Sequence, residues 1–145
     1  MSKEIIQRIK TFLEEAPFYA VATLEDGQPR VRPFDSITIY QDCLCILSSD
    51  QKAVFNQIQK DNFVEITSAQ ADGSWIRVRG QLKTSYKRDA VTHLLNDRPD
   101  LWDLYSSNDP HTIVYYFTEG SAVFYTSDDQ GEHYTFTCQD IEEPL

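Results

Sequence analysis

Two arginines and a lysine stand out in an otherwise acidic chain. Arg30 and Arg32 lie two apart in the stretch QPRVRPF, and Lys52 follows Ser48, Ser49 and Gln51 in LSSDQK. A spacing of two puts both guanidinium groups on one face of a strand. The two serines close an apolar run, CLCIL, and stand where a helix begins, so hydroxyls, free backbone N–H groups and a lysine come together. These are the parts of an anion site: an arginine offers phosphate a fork of donors, and Lys52 adds a full charge. The same residues also suit plainer work, with Ser49 or Asp50 capping the helix and Lys52 in solvent. A second group, Trp75-Ile76-Arg77-Val78-Arg79, sets an indole beside two same-face arginines. That face either stacks on a flat cofactor or is an outward strand face with Arg–Glu pairs.

The rest of the composition narrows the classes of function. The chain has 145 residues and a formal net charge of −10. Proteins that bind nucleic acid or anionic membranes need a basic surface, so neither is expected as a partner, whereas a phosphorylated small molecule needs only a local concentration of cations. No apolar run approaches the roughly 20 residues that cross a bilayer, and the charged start MSKEIIQRIKTFLEE does not read as a signal peptide. Three cysteines, Cys43, Cys45 and Cys138, form no framework spacing, which suggests free thiols in a reducing, cytoplasmic compartment. His93, His111 and His133 are scattered and mark neither a metal site nor a catalytic dyad. No Gly-x-Ser-x-Gly, Walker loop or Gly-x-Gly-x-x-Gly occurs, and no residue reads as a nucleophile or general base. If the chain is an enzyme, a cofactor carries the hard chemistry.

Several elements must position these residues. Ile5, Ile6, Ile9, Phe12 and Leu13 predict an amphipathic helix over 3–15, with Ser2 as its N-cap and Pro17 beyond its end. Alternation predicts strands over 18–24, 30–40 (bent at Pro33) and 43–47, with Asp26-Gly27 as the first hairpin turn. A second helix is expected over 50–60, strands over 63–69 and 75–85, and a bulge or corner at Gly80. A third helix covers 88–96, and a short helix or turn follows at 101–105. Strands over 112–118 and 122–126 are joined by Glu119-Gly120, and a last strand runs near 133–137. The acidic end, IEEPL, is expected to fray. Three antiparallel strands before any long helix argue against a parallel Rossmann-type sheet. The fold class is α+β, mainly β: an antiparallel split β-barrel of about six to eight strands with three or four peripheral helices, in one domain spanning 1–145.

The ordered segments YAVATLEDGQPRVRPF, LCILSSDQKAVFNQI and NFVEITSAQADGSWIRVRGQLK resemble the pyridoxamine 5′-phosphate oxidase-like proteins with an FMN-binding split barrel. Within that family they resemble the short branch that includes nitroimidazole-resistance proteins. The resemblance covers most of the chain, since TIVYYF and AVFYT fit the family's closing strands. It implies a homodimer with FMN sites at the subunit interface and a small-molecule substrate. Carried over by position, Arg32 matches the arginine on the phosphate and flavin side, Ser48 the hydroxyl at the strand end, and Lys52 the phosphate-binding lysine. Trp75 matches a ring-contacting residue given by the other subunit, and the backbone of residues 32–34, Pro33 included, faces the flavin ring. Arg30, Ser49 and Gln51 are secondary members of the set. Gln51 stands where the oxidases proper have a second cation, and the C-terminal tryptophan and arginine with which those oxidases hold flavin and vitamin are missing. The resemblance therefore points away from vitamin B6 oxidation and towards an FMN-dependent oxidoreductase acting on a small organic acceptor. The alternatives are a non-catalytic, redox-responsive flavin protein, or the same barrel holding haem or a deazaflavin.

Overall fold

A computed structural model describes residues 2–141. Eight antiparallel strands form one sheet, with three α-helices around it. In chain order these are α1 (Ser2–Glu14), β1 (Tyr19–Glu25), β2 (Gln28–Phe34), β3 (Thr38–Tyr40), β4 (Cys43–Ser49), α2 (Ala53–Lys60), β5 (Phe63–Ala69), β6 (Trp75–Ser85), α3 (Arg88–Asp97), β7 (Thr112–Tyr125) and β8 (Gly131–Thr137). A 3-10 turn at Pro99–Leu101 follows α3. The strand order is β2-β1-β5-β6-β7-β4-β3, with β8 added on β7. This is the expected split barrel, curled but not closed.

Three local differences from the sequence-based expectation have physical causes. The stretch expected as one strand over 30–40 is two strands on opposite edges of the sheet, β2 beside β1 and β3 beside β4. The break falls at Asp35–Ile37 rather than at Pro33: Tyr19 donates its hydroxyl to the Ser36 carbonyl, and Arg98 binds the Asp35 carbonyl. Pro33 sits inside β2, an edge strand, where a missing N–H costs no interior ladder bond. Glu119-Gly120, expected as a turn, is a continuous part of β7. A Cβ on Gly120 would lie 2.6 Å from the Phe136 ring and 2.9 Å from the Arg79 carbonyl, so this glycine permits a close crossing. The register of β6 shifts between Gly80 and Leu82, as the expected bulge requires. Finally, Ser2 lies within α1, and its hydroxyl accepts the Thr137 N–H at 3.1 Å.

The core has two parts, divided by β4 and β7. Leu44, Ile46, Tyr115 and Phe117 face the barrel interior with Val21, Ile66, Val78 and one face each of α1 and α2. Leu47, Val114 and Tyr116 face the other way, towards α3 and Ile141. The cysteines belong to this second part. Cys43 and Cys138 are joined in a disulfide, which corrects the expectation of three free thiols, while Cys45 alone is free and buried. The two partners are 95 residues apart in sequence, and the fold brings β4 and the end of β8 together. Ile141 packs in this core instead of fraying; the rest of IEEPL lies outside the described residues.

Candidate functional site

Strand alternation separates residues that the sequence places side by side. Ser48 points into the barrel interior with Leu44 and Ile46, while Ser49 turns to the opposite face. The candidate site therefore has an inner half and an outer half.

The inner half is built on Arg32. Its register partner in β2–β1 pairing is Val21, so the guanidinium faces the barrel interior beneath α2. Nη1 donates to the Val21 carbonyl at 3.1 Å and Nη2 to Gln57 Oε1 at 2.5 Å. The Gln57 carboxamide is a hub: the same oxygen accepts the buried Thr23 hydroxyl at 2.6 Å, and its nitrogen donates to Glu25 at 3.0 Å. Burial lowers the Arg32 pKa, opposed by Tyr115 and Glu25, and the guanidinium keeps its proton at neutral pH. Nearby, Ser48 and Tyr115 lie against each other, fully buried, with neither hydroxyl in a hydrogen bond of normal geometry. Burial also raises the Tyr115 pKa above its ordinary value, so the phenol stays protonated. The two buried hydroxyls, with each other as nearest polar neighbour, and the Arg32 guanidinium make a polar patch in the barrel interior.

The outer half is the turn from β4 into α2. Ser49 Oγ accepts the Gln51 N–H at 3.2 Å, and the Ser49 carbonyl accepts the Lys52 N–H at 3.2 Å. The helix starts at Ala53 rather than at residue 50, with Lys52 in the N-cap position and no side-chain cap. Its Nζ donates to the Tyr105 hydroxyl at 2.6 Å, and the ammonium lies 5.2 Å from the Tyr105 ring centroid. Among the described residues no carboxylate lies within 4.0 Å of Lys52, which is notable in a chain of this charge. Asp50 turns elsewhere: it accepts the Tyr86 hydroxyl at 2.8 Å and meets His111 Nδ1 at 2.8 Å. The Tyr86 hydroxyl, followed by His111, holds the Asp50 carboxyl below its ordinary range.

The remaining expected residues are placed as follows. Arg30 is exposed and pairs with Glu25 at 3.3 Å across the hairpin. Pro33 is exposed on the outer face of the edge strand, and Gln51 is exposed on the corner. Trp75 stacks on Tyr125 with centroids 4.0 Å apart, donates to Asp129 at 3.0 Å, and carries the Arg77 guanidinium 5.1 Å above it. It begins β6, whereas Ser85, beside the β4–α2 corner, ends it, so roughly 30 Å of strand separates the two. One chain thus brings Ser49, Gln51 and Lys52 together, and Arg32 near Ser48, but not Trp75 with either. The sequence reading missed Gln57, Tyr115, Tyr105 and the Asp50–His111 pair. Only Gln57 left a signal: a polar residue at helical spacing in the apolar stripe of Val54 and Ile58.

Among the described residues no cluster of three or more metal-ligating side chains occurs, and no helix is long and apolar enough to cross a membrane. An apolar groove of about 770 Å³ runs over the outer face of β1, β5, β6 and β7, lined by Ala22, Leu24, Phe63 and Gly120 among others.

The open antiparallel barrel and its peripheral helices define a split-barrel protein of the α+β class. The sequence model of the pyridoxamine 5′-phosphate oxidase family matches residues 5–110, and the chain belongs to that family, as the opening segments implied. A NimC/NimA family protein from Clostridium acetobutylicum is 34% identical, with 94% of each chain covered and a TM-score of 0.85. More distant folds of the same kind include General Stress Protein 26 from Bacillus anthracis, at 14% identity over 90% of this chain and 99% of that one, TM-score 0.67. Another is a pyridoxamine 5′-phosphate oxidase-related, FMN binding protein from Nostoc punctiforme, at 16% identity over 94% of each chain, TM-score 0.55. No curated protein matches the chain.

Proposed function

We propose that the chain binds FMN and, as a homodimer, passes electrons from a nicotinamide donor to a small organic acceptor. The observation that carries the reading is Lys52, a cation with a hydroxyl for company and, among the described residues, no carboxylate, at an uncapped helix start in a chain of charge −10. Unpaired N–H groups and an ammonium there suit a phosphate. The inner half suits a polar ring edge: Ser48 and Tyr115 have hydrogen bonds to give, and Arg32 supplies positive charge beside them. FMN, when bound, supplies two-electron hydride chemistry. The protein's part is to hold the phosphate with Lys52 and the Ser49–Lys52 turn, and to present Tyr115 as a neutral donor. A second copy supports this arrangement in two ways. Trp75 is out of reach of the corner within one chain, and the outer face leaves Val31 69% and Phe63 59% exposed beside the groove.

A second reading, a redox-responsive flavin protein without turnover, is favoured by the Cys43–Cys138 bond, which ties the chain's end to the strand leading into the site. The absorption spectrum of freshly isolated protein tests both: flavin bands are expected, and haem or deazaflavin bands, or none, refute FMN. Steady-state consumption of NAD(P)H with a nitroaromatic or quinone acceptor separates the enzyme from the responder. Lys52→Ala is expected to weaken FMN binding roughly tenfold or more, the loss of one charge-assisted hydrogen bond, with little change in apo melting temperature. Unchanged binding would reject the site.

A further inference from the structure

The loop between the 3-10 turn and β7 grips the corner at two points. Tyr105 meets Lys52, and His111 meets Asp50, so the two charged residues of the Ser49–Lys52 turn are each held by one residue of the loop. The loop is itself fastened. Arg88 at the start of α3 donates to the carbonyls of Ser107 at 3.1 Å, Asp109 at 2.6 Å and Thr112 at 2.5 Å, and to that of Tyr86 at 3.0 Å. The Tyr105 ring packs against the second core, with Leu101 and Leu95 in the same cluster. Its hydroxyl is therefore held in place from two directions, by packing behind and by the lysine in front.

The direction of the Lys52–Tyr105 bond matters. An ammonium can only donate, so the phenolic oxygen is the acceptor and its own proton is directed elsewhere. Polarised by the adjacent cation, that O–H is a strengthened donor. An anion at the helix start would meet the Lys52 ammonium and the Tyr105 hydroxyl together, with the Ser49 hydroxyl on the same face of the turn. The neighbouring acid is turned away from Lys52: both Asp50 oxygens face Tyr86 and His111, although the carboxylate keeps its charge.

We infer that Tyr105 is a specificity residue of the site: its hydroxyl binds the phosphate of the cofactor alongside Lys52 and so distinguishes FMN from riboflavin. The inference rests on the FMN reading above and assigns to a post-α3 loop a part in the site that the sequence segments 19–34, 44–58 and 62–83 do not contain. Tyr105→Phe tests it, because the phenyl ring preserves the packing on the second core and the cation–ring contact and removes only the hydroxyl.

The apo melting temperature of the variant is expected to match the unsubstituted protein, as a check on folding. Fluorescence titration with FMN is expected to show roughly tenfold weaker binding, the size of one hydrogen bond to a charged group, with riboflavin affinity unchanged. Equal or tighter FMN binding by Tyr105→Phe would overturn the inference, the latter by making Tyr105 a competitor for Lys52. An equal loss for both flavins would also overturn it, by making the role structural. The Lys52→Ala variant keeps the two readings apart. If the unsubstituted protein prefers FMN to riboflavin and Lys52→Ala loses that preference while Tyr105→Phe keeps it, only the inference fails. If the unsubstituted protein shows no preference, both fail.

Discussion

Replacing Gln57 with leucine isolates the network that holds Arg32. The carboxamide accepts from Thr23 and Arg32 and donates to Glu25, and leucine of similar size removes all three bonds. Thr23 is only 2% exposed, so its hydroxyl would lose its partner out of reach of bulk water, at a cost of about 1–3 kcal/mol. Arg32 keeps Val21 but loses a charge-assisted bond, again about 1.5–3 kcal/mol, discounted because the guanidinium is only part-buried and water reaches it. The leucine returns about 1–2 kcal/mol through burial of extra apolar surface against Val54 and Ile58. The expected net loss is about 2 kcal/mol, which for a domain of this size lowers the melting temperature by roughly 5–8 °C. Thermal melts of apo protein at pH 7 measure it. The Gln57→Leu/Arg32→Met double variant should recover part of the loss, since removing both partners strands no charge. A Gln57→Leu protein as stable as the parent would refute the claim that this network, rather than a ligand, sets the position of Arg32 in the apo state.

Two further substitutions probe the frame. Gly120→Ala sets a methyl against the Phe136 ring and the Arg79 carbonyl, and a loss of about 1–3 kcal/mol is expected in chemical denaturation, whereas a neutral result would mean β7 can shift at the crossing. Cys138→Ser opens a bond spanning 95 residues, and an expected loss of about 2–4 kcal/mol should appear in non-reducing melts and vanish when both proteins are reduced. In the parent, alkylation after denaturation without reductant should tag one thiol, Cys45, whose burial pushes its pKa up to about 12 in the fold. Three tagged thiols would mean the bond is not formed in the isolated protein.

How far the sequence could be read follows from which interactions are local. Period-two alternation placed β5 and β6 with the right ends, and the bulge at Gly80 followed from a glycine inside an otherwise regular strand. Partner changes leave no such mark. The run RVRPFDSITIY alternates at both ends, yet β2 and β3 part company at Asp35-Ser36, where Arg98 and Tyr19, both distant in sequence, take up the Asp35 and Ser36 carbonyls. Glu119-Gly120 carries the composition of a turn, and only the ring of Phe136 shows that the glycine serves a crossing. The disulfide was equally hidden, since nothing local relates Cys43 to a residue 95 positions later. At the site the cations were legible by type. Their partners were not, because Tyr105, Gln57 and Tyr115 arrive from a loop, a helix and a strand that pack against the corner only in three dimensions.

The parting of Ser48 and Ser49 changes what the site must be. A single phosphate cradle would have needed both hydroxyls and both cations on one side of β4, whereas alternation puts Ser48 and Arg32 under α2 and leaves Ser49 and Lys52 outside. A compact anion would use only the outer half, leaving the buried Ser48 and Tyr115 hydroxyls of the barrel unused. A ligand with a phosphate at one end and a polar flat body at the other can use both, by lying across the end of β4. The two-sided layout thus favours a phosphorylated, elongated cofactor over free phosphate, and it predicts that affinity for inorganic phosphate alone stays far below that for FMN.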